Sequence, residues 1–548
     1  MIYRHIENLF KELLYLLGIW QPSLDVHIES ASKEFSRVNS KFWEDSISIE
    51  RTASKKSKLN VLIEGHLSQY GPNYMFRTAL AAKAIQDSIP EARIDVLYNG
   101  FSYQWKISKI TFQSFKIQNW IFLGRKFIFI NPIIFIISLL RAIASFLTLK
   151  DVSLILSLRA GKLKIGDLIY DQVIKSSAKG TIDQVNFEVF KVLFKSYFYY
   201  FQYSLLFLKN SYSFYITTHT AYPEYGILAR VALKNGVKVI ETTDIQMTIF
   251  DEKTEDFWPT YHEGIKASIL ELLKDSSITE DVKEKVAIQK LNKRFGNELD
   301  QIDSKKSFSG KTYNRDDLNL AIGNSEQKKI GFIFAHIFVD SPHLSRSMLF
   351  LDYYLWLIET IKICSLSKEM IWVVKPHPSS AVYEEEGKVK GLVDKFGNHN
   401  VVMCPENFNT KSIIDCADVI TTVHGTVGLE MSCIGIPVIL AGKPFYAGFG
   451  FTHEPDTVED YAKVLQNAHT LEKLDQENIS AALRVFLAWE ESFDFNNPIY
   501  DSEVQASVWG SGVNRDLAKA YQILTHNLSI SNPKDLKLWS FIKKNYKV

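Results

Sequence analysis

A lysine and a histidine come directly after a predicted buried strand, in the segment Lys375-Pro376-His377-Pro378. The prolines restrict the backbone on both sides of His377, so its imidazole should leave the strand end in a fixed direction. A positioned lysine and histidine can stabilise the negative charge that develops on a phosphate leaving group. We therefore predict that Lys375, His377 and Pro378 bind a nucleotide-activated donor. The alternative is a rigid proline turn whose histidine makes a local contact.

A second polar segment holds His424, Gly425 and Thr426 between a predicted strand and a predicted helix. Backbone N–H groups at a helix start, together with the Thr426 hydroxyl, are typical of a phosphate site. Glu430 lies one helical turn further on the same face, where its carboxylate could accept hydrogen bonds from ribose hydroxyls. Helix capping and packing would explain this turn equally well by itself. Together with the first segment, it predicts a donor site.

A glycine-rich loop, 442–450, follows the next predicted strand and holds Phe445 and Tyr446. Its glycines allow a close backbone approach, and either ring could stack on a base or a sugar. We include Tyr446 among the predicted donor-binding residues. The alternative is a loop that packs on its own aromatic side chains.

Another predicted strand end carries His336, Asp340 and His343, a set that could bind a metal ion. No further carboxylate or cysteine nearby completes a recognisable ligand spacing, so we predict no metal site. All four cysteines lie in the second half of the chain without C-x-x-C spacing. This pattern indicates buried thiols in a reducing compartment, and we expect a cytoplasmic protein.

These segments all follow short apolar runs that alternate with helical patterns. In the first half the runs are 59–64, 92–97, 212–217 and 237–241, and from residue 329 the alternation becomes regular. Strands that alternate with helices predict parallel sheets covered on both faces. The expected fold is therefore α/β with two Rossmann-like domains, which bind ligands at the carboxyl ends of their strands.

The domain organisation follows from the spacing of these units. We predict an N-terminal domain over 1–310, a C-terminal nucleotide-binding domain over 311–490 and a helical tail over 491–548. The first domain contains a helical, basic and aromatic insertion over about 101–210, which is too long for a structureless loop. The polar segment 298–327 is the best candidate for a linker.

The charge is balanced overall but unevenly distributed. The chain has 63 Lys and Arg against 62 Asp and Glu, which excludes a uniformly basic polyanion binder. Residues 101–250 carry 18 Lys and Arg against 8 Asp and Glu, a net charge of +10, so the remainder sums to −9. The apolar run 127–140 in this stretch is too short to predict a membrane span. It predicts either a buried helical hairpin or a monotopic patch on an anionic inner leaflet.

The motifs of the second half resemble the bacterial capsule polysaccharide biosynthesis family, which includes β-Kdo transferases. The matching pieces are Lys375-Pro376-His377-Pro378, Thr422-Val423-His424-Gly425-Thr426-Val427-Gly428-Leu429-Glu430, Gly435-Ile436-Pro437-Val438 and Pro444-Phe445-Tyr446-Ala447-Gly448-Phe449-Gly450. They cover roughly 329–453. The resemblance implies a GT-B-like glycosyltransferase with two Rossmann-like domains facing a cleft, usually without a metal or other cofactor.

The same resemblance implies roles for individual residues. In relatives that use CMP-activated acidic sugars, a His-Pro pair and a following Ser/Thr motif contact the nucleotide, and these correspond here to His377, Pro378 and Thr426. The family often has serine before the threonine, where this chain has Gly425. This departure leaves open which hydroxyl binds phosphate.

The acceptor side must supply a base if the reaction inverts, or a nucleophile if it retains, and we expect it from the first half. Polar residues that follow the predicted strands there are Glu64, His66, His219, Glu224 and Asp244, with Asp340 as a rival from the second half. A cap or a structural hydrogen bond is the alternative for each. We favour Glu224, His66 and Asp244 as a group in which at least one is catalytic.

The sequence thus predicts a metal-independent glycosyltransferase that moves a sugar from a nucleotide donor, such as CMP-Kdo or a related acidic sugar, onto a capsular or other cell-surface polysaccharide. Its partners would be the donor, a glycan or lipid-linked acceptor and the inner face of the cytoplasmic membrane, with no nucleic acid. One alternative is polyol-phosphate transfer from a CDP-activated donor, resembling teichoic acid polymerases. Another is a non-catalytic scaffold in polysaccharide assembly.

Overall fold

The fold is given by a computed structural model that describes residues 7, 10–15, 19–20, 22–23, 25–44, 59–66, 71–243, 247–251, 261–276, 278–298, 302–345, 347–492, 497–509 and 515–545. The strands are β1 Asn60–Glu64, β2 Arg93–Tyr98, β3 Asn119–Phe122, β4 Arg159–Ala160, β5 Leu163–Lys164, β6 Phe214–Thr217, β7 Lys238–Thr242, β8 Met247–Phe250, β9 Lys329–Phe334, β10 Met370–Lys375, β11 Val401–Met403, β12 Val419–Thr422 and β13 Val438–Leu440.

Helices connect and cover these strands. Their bounds are Val26–Phe42, Pro72–Ser88, Lys106–Ser114, Leu123–Lys126, Asn131–Thr148, Gly166–Ser177, Phe187–Lys209, Tyr222–Lys234, Tyr261–Leu272, Glu280–Phe295, Ile302–Ser307, Arg315–Ile322, Tyr353–Ser365, Lys388–Phe396, Ile413–Cys416, Val427–Ser432, Val458–Gln466, Gln476–Ser492, Ser502–Trp509, Leu517–Ile530 and Lys537–Asn545.

The first sheet has the order β3-β2-β1-β6-β7-β8, and its strands run parallel except for β8, which pairs antiparallel with β7. Its central strand β1 is apolar on both faces because helices cover both faces, as is usual for parallel sheets. In β1, Ile63 is fully buried and pairs with Val96 of β2 and Ile216 of β6.

The second sheet has the order β11-β10-β9-β12-β13 and is parallel throughout. Gly331 of β9 pairs with Trp372 of β10, and the indole lies where a Cβ on Gly331 would stand. A larger residue at Gly331 would therefore displace the indole from the core. The two sheets, each covered by helices, confirm the predicted α/β fold with two Rossmann-like domains.

The chain crosses between the two cores twice, once before residue 265 and once after residue 489. The helices Tyr261–Leu272 and Glu280–Phe295 come before residue 310, yet they pack in the core of the second sheet. The helices after residue 497 return to the first core, where Tyr521 contacts Phe35 and Trp539 contacts Trp43. The packing therefore changes from the first core to the second before the boundary predicted at 310, and the domain limits stay predictions.

The predicted insertion is mainly a helical layer on the first sheet, but it also contains the short strands β4 and β5 and supplies β3, the edge strand of that sheet. The helix Asn131–Thr148 packs against Phe187–Lys209, with ring contacts such as Phe135 to Phe194. Within the described residues, Asn131–Thr148 is the helix whose length and composition would allow it to cross a membrane, with a mean hydropathy of 1.7 and 22% of its residues buried. One face of this helix is thus packed, as in a hairpin, and the other is exposed.

The two halves meet through the helix Gly166–Ser177 and the segment after β9. Tyr170 donates a hydrogen bond to the carboxylate of Asp352 at 2.7 Å, and the imidazole of His343 lies 2.5 Å from the carboxylate of Asp171. Lys175 on the same helix interacts electrostatically with Asp340 beyond β9. These contacts bring the carboxyl edges of the two sheets toward each other.

Candidate functional site

A cavity of about 330 Å³ lies at the carboxyl edge of the second sheet. Its wall includes residues that follow three strands: His336 after β9, Lys375 to Pro378 at the end of β10, and Thr422 with His424 to Val427 at the end of β12. This volume is within the range of small-molecule sites, which is roughly 300–1,000 Å³. The structure thus brings together seven predicted donor-binding residues: Lys375, His377, Pro378, His424, Gly425, Thr426 and Glu430.

Lys375 places a buried cation in the cavity wall. The residue is 8% exposed, and no carboxylate of the described residues lies within ion-pair distance of its ammonium group. Burial lowers the pKa of Lys375, because the charged form has lost water without gaining a counter-charge. An anion in the cavity would supply that counter-charge.

His377 is held by its own turn. The backbone N–H of Ser379 donates to Nδ1 at 3.2 Å, and the hydroxyl of Ser380 donates to the carbonyl of His377 at 2.6 Å. Because Nδ1 accepts a hydrogen bond, the neutral ring carries its proton on Nε2. The ring can therefore act as a donor at Nε2, in the orientation that the proline segment sets.

The turn at Gly425 is stabilised from several sides. Its N–H donates to the hydroxyl of Thr422 at 3.3 Å, and its carbonyl accepts from the Gly428 N–H at 3.0 Å. The helix that follows, Val427–Ser432, is only six residues long. The N–H groups of Gly425 and Gly428 are thus used within the turn, and the next two residues, Thr426 and Val427, line the cavity at the start of the helix.

Three histidines form one side of the cavity. The ring centroids of His262 and His424 are 4.9 Å apart, and those of His336 and His424 are 6.3 Å apart. Burial lowers the pKa of His262 and of His336 to about 3, and it lowers the pKa of His424 well below its usual value, so all three rings are neutral at pH 7. Nδ1 of His424 lies 2.8 Å from the hydroxyl of Tyr353.

Among the described residues, no group of three or more His, Cys, Asp or Glu is placed to hold a metal ion. Of the suspected set, His336 and Asp340 line the cavity, whereas His343 pairs with Asp171 of the other half. Metal independence stays a prediction.

Glu430 lines the cavity but already has a partner. Nε of Arg294 donates to its carboxylate at 2.6 Å, and both side chains are buried. Arg294 also lies 3.9 Å from Glu490. The ribose contact predicted for Glu430 would therefore share the carboxylate with Arg294.

Tyr446 differs from its predicted position. It is fully buried and lies behind the turn rather than in the cavity wall, because its hydroxyl donates to the carbonyl of Gly425 at 2.6 Å. The neighbouring Phe445 lines the cavity instead. Tyr446 therefore supports the turn from behind, whereas Phe445, which is 1% exposed and stacks on His262 and Trp489, is the ring of the pair that lines the cavity.

Several cavity residues carry no motif in the sequence. They come from helices outside the strand ends: His262, Arg294, Ser304, Ser307, Phe308 and Trp489. One signal was present, because Arg294 falls on the apolar face of its helix with Leu291 and Phe295. A cation among buried apolar residues requires a partner, which here is Glu430.

The N-terminal candidates lie at the carboxyl edge of the first sheet. Glu224, in the first turn of Tyr222–Lys234, accepts a hydrogen bond from the side-chain amide of Asn99. Burial raises the pKa of Glu224. It lines a second cavity, of about 540 Å³, together with Asn99, Trp105 and Lys106.

His66 shares Asn99 with Glu224. The backbone N–H of Asn99 donates to Nδ1 of His66 at 3.0 Å, and complete burial lowers the pKa of His66 to about 3. The structure therefore places two of the three favoured residues around Asn99. Asp244 lies outside the described residues.

The rival candidates are also placed. Nδ1 of His219 accepts the N–H of Ala221 at 3.1 Å, and burial lowers the pKa of this histidine to about 3. Asp340 lines the first cavity and accepts a hydrogen bond from Tyr383 at 3.1 Å. Fold and cavity together define a two-domain α/β protein with a small-molecule cavity at the carboxyl edge of its second sheet.

The sequence of this region matches a known family. Residues 363–484 match the family model described as capsule polysaccharide biosynthesis protein. The matched stretch includes Lys375, His377 and the turn at Gly425, so the resemblance is confirmed for this part of the chain. None of the curated proteins matches the sequence.

Among solved structures, two similar chains are KpsC of Thermosulfurimonas dismutans. The one described as a beta Kdo 2,7 transferase has 19% identity over 51% of this chain and 79% of that chain, with a TM-score of 0.30. The beta Kdo 2,4 transferase has 15% identity over 52% and 85%, with a TM-score of 0.33. A UDP-GlcNAc 2-epimerase from Neisseria meningitidis bound to UDP-GlcNAc has 9% identity over 86% and 100%, with a TM-score of 0.22. These TM-scores are low, so we assign the fold from the two sheets of this protein alone.

Proposed function

We propose that this protein is a glycosyltransferase of the GT-B type that transfers a sugar from a nucleotide-activated donor to a capsular or other cell-surface polysaccharide. The proposal is supported by the match of residues 363–484 to the capsule polysaccharide biosynthesis model. The main structural support for the proposal is Lys375. This buried cation has no carboxylate partner among the described residues, and it lies in a cavity at a strand end. Such a site favours a ligand that brings its own negative charge, as a nucleotide does.

In this proposal the cavity binds the nucleotide of the donor. The ammonium of Lys375 and the Nε2–H of His377 stabilise the charge that develops on the leaving phosphate. The neutral rings of His262, His336 and His424 offer hydrogen bonds without adding positive charge. A CMP-linked acidic sugar such as Kdo is the donor class that the resemblance favours, and we propose that no metal takes part.

We propose that the acceptor binds at the first sheet. We propose Glu224 as the catalytic carboxylate, because it lines the second cavity and burial raises its pKa toward the range of a general base. Asn99 holds the carboxylate in one orientation through its amide. His66 then acts as a positioning residue, since its Nδ1 fixes the backbone of Asn99.

His377→Ala tests the proposal. Nucleotide release from CMP-, CDP- and UDP-activated donors would be followed by mass spectrometry, with His399→Ala as the control because His399 is exposed in the same domain. We expect at least ~100-fold slower turnover for His377→Ala, of the order found when an electrostatic donor is removed from an active site, and an unchanged rate for the control.

The products separate the alternatives. A sugar added to the acceptor supports the proposal, whereas a phosphodiester product would indicate polyol-phosphate transfer. Turnover of His377→Ala near the wild-type rate would contradict the role of the cavity. Failure of the wild-type protein to bind any of the nucleotides in calorimetry would favour a scaffold.

A further inference from the structure

The helix Asn131–Thr148 exposes a continuous apolar face. Its large exposed side chains recur at spacings of three and four residues and therefore lie along one side of the helix. They are Ile133, Ile136, Ile137, Leu140, Ile143 and Leu147, with exposures from 40% to 76%. We call this surface the apolar face. Contiguous apolar surface of this kind marks an interaction site on a protein that folds in water.

The apolar face continues beyond both ends of the helix. Phe129, 89% exposed, precedes the helix, and Phe187, 70% exposed, belongs to the neighbouring helix that runs antiparallel to it. Leu154, in the segment that follows, is also exposed. The apolar surface thus extends along the helix axis, which suits a partner that is flat over the whole length of the helix.

The opposite face is bound into the protein. Ile134, Ser138 and Ala142 are buried, and Asn131 accepts a hydrogen bond from the side chain of Gln202 at 2.9 Å. Crossing a bilayer would separate these residues from the core of the first half. The packing is therefore that of a helix lying on a surface rather than spanning a membrane.

The helix and the residues before it carry charges of one sign, and the acidic residues nearest in the chain to Leu154 and Phe187 are Asp151 and Glu188. Between Asp95 and Asp151 the chain contains no Asp or Glu, and it has seven Lys and Arg. Of these cations, Arg125, Arg141 and Lys150 are exposed beside or at the ends of the helix. An apolar stripe flanked by cations fits a lipid surface with anionic headgroups, because the stripe enters the acyl region while the cations meet phosphate groups.

We propose that the apolar face docks in the plane of an anionic lipid bilayer. The helix axis lies parallel to the surface, with Ile133, Ile136 and Leu140 below the headgroups and Arg125, Arg141 and Lys150 at their level. This inference rests on the exposed side chains and charges of the first half, and it holds whether or not the second half transfers a sugar.

The experiment is co-sedimentation of the full chain with vesicles of phosphatidylglycerol and phosphatidylethanolamine, compared with vesicles of phosphatidylcholine. The test variant combines Ile133→Gln, Ile136→Gln and Leu140→Gln. The matched control combines Leu320→Gln, Leu366→Gln and Ile530→Gln, which remove even more exposed side chains elsewhere. We expect the test variant to lose at least ~100-fold in partitioning, since each buried aliphatic side chain is worth about tenfold or more, and the control to bind as wild type.

A charge variant adds the second arm. Arg125→Gln, Arg141→Gln and Lys150→Gln together should weaken binding to the anionic vesicles and flatten its dependence on salt, because each cation near the surface contributes about 1 kcal/mol, or roughly fivefold. Binding to phosphatidylcholine should change little. Equal binding of wild type to both vesicle types would overturn the anionic part of the proposal.

A reporter keeps the test independent of the folding of the triple variants. A polarity-sensitive dye on Leu140→Cys should shift to the blue with anionic vesicles, and the same dye on Leu366→Cys should not. Absence of the blue shift would overturn in-plane docking. A wild-type protein that is dimeric while the test variant is monomeric would also overturn it and would indicate that a second copy of the chain covers the apolar face. Bound protein that resists extraction by alkaline carbonate would overturn it as well and would indicate a membrane span.

Discussion

The guanidinium of Arg294 donates from Nε to the carboxylate of Glu430 at 2.6 Å, and both side chains are buried, with exposures of 5% and 3%. Arg294 belongs to the helix Glu280–Phe295, and Glu430 follows the turn that forms the cavity. The pair therefore joins the helical layer of the second half to the predicted donor site. Breaking it should affect both stability and binding.

Arg294→Met should destabilise the protein by about 3–5 kcal/mol, because it leaves the carboxylate of Glu430 buried without its partner. The nearby Glu490 is also buried and cannot replace the guanidinium. Thermal or denaturant unfolding would measure the loss. Lys293→Met is the control, since Lys293 is exposed on the same helix. Equal stability of the two variants would show that the pair contributes nothing.

Lys375→Met should have opposite effects on binding and on stability. Nucleotide affinity should fall about 10- to 100-fold, because a hydrogen bond to a charged group contributes ~1.5–3 kcal/mol. The folded-state pKa of Lys375 is lowered, so burial of the charged form opposes folding at every pH below the unfolded pKa of 10.5. The free variant should therefore be as stable as wild type or more stable at pH 7.

Calorimetry with CMP and melting curves without ligand measure the two effects separately. Lys368→Met, which removes an exposed lysine just before β10, is the matched control and should change neither quantity. A Lys375→Met protein that is less stable but binds CMP normally would mean that the lysine is structural.

The strand ends could be predicted from the sequence, and the rest of the cavity could not. Lys375, His377 and Gly425 follow apolar runs, and the carboxyl ends of parallel strands meet at one edge of a sheet. That geometry requires no tertiary detail. His262 and Arg294 reach the same cavity from helices, and their positions depend on how those helices pack on the sheet.

Tyr446 shows the limit of a motif. The loop predicted an aromatic ring near the ligand, but it could not distinguish which of two adjacent rings faces the cavity. Phe445 lines the cavity, whereas the hydroxyl of Tyr446 donates a hydrogen bond to the carbonyl of Gly425 behind the turn. The buried hydroxyl needed a partner, and that requirement decided the orientation.

The pair of His343 and Asp171 should make the contact between the halves sensitive to pH. Burial disfavours the charged ring, but the carboxylates of Asp171, Asp167 and Asp352 together outweigh it and raise the pKa of His343 above 6.5. Burial raises the pKa of Asp171 as well. The pKa of His343 is higher in the folded state than in the unfolded state. The protonated ring therefore contributes its full stabilisation below pH 6.5, and this stabilisation is lost as the pH rises through the folded-state pKa.

We therefore expect the melting temperature of the wild type to decrease above pH 6.5. The variant Asp171→Asn should not show this decrease. Asp183→Asn removes an exposed carboxylate of the same half and should keep the wild-type profile. Melting curves from pH 5 to pH 9 make the comparison. A wild-type profile that rises with pH over this window would contradict the assigned sign.

Glu224→Gln should slow transfer strongly while leaving nucleotide binding unchanged. The glutamine keeps an oxygen for the amide of Asn99, so the turn is preserved, but it cannot accept a proton. Loss of a general base should lower kcat by about 100- to 10,000-fold. In the wild type the carboxylate must be ionised, and burial raises its pKa above 4.5, so kcat should rise as the pH passes through that raised value.

The variant His66→Asn distinguishes the general-base role of Glu224 from the positioning role of His66. With a pKa of about 3, His66 is neutral throughout the assay, so its loss should lower kcat without removing the rising limb of the pH profile. The limb should vanish in Glu224→Gln. If it persists there, the titrating group is another residue, and the base must be sought elsewhere at the carboxyl edges of the two sheets.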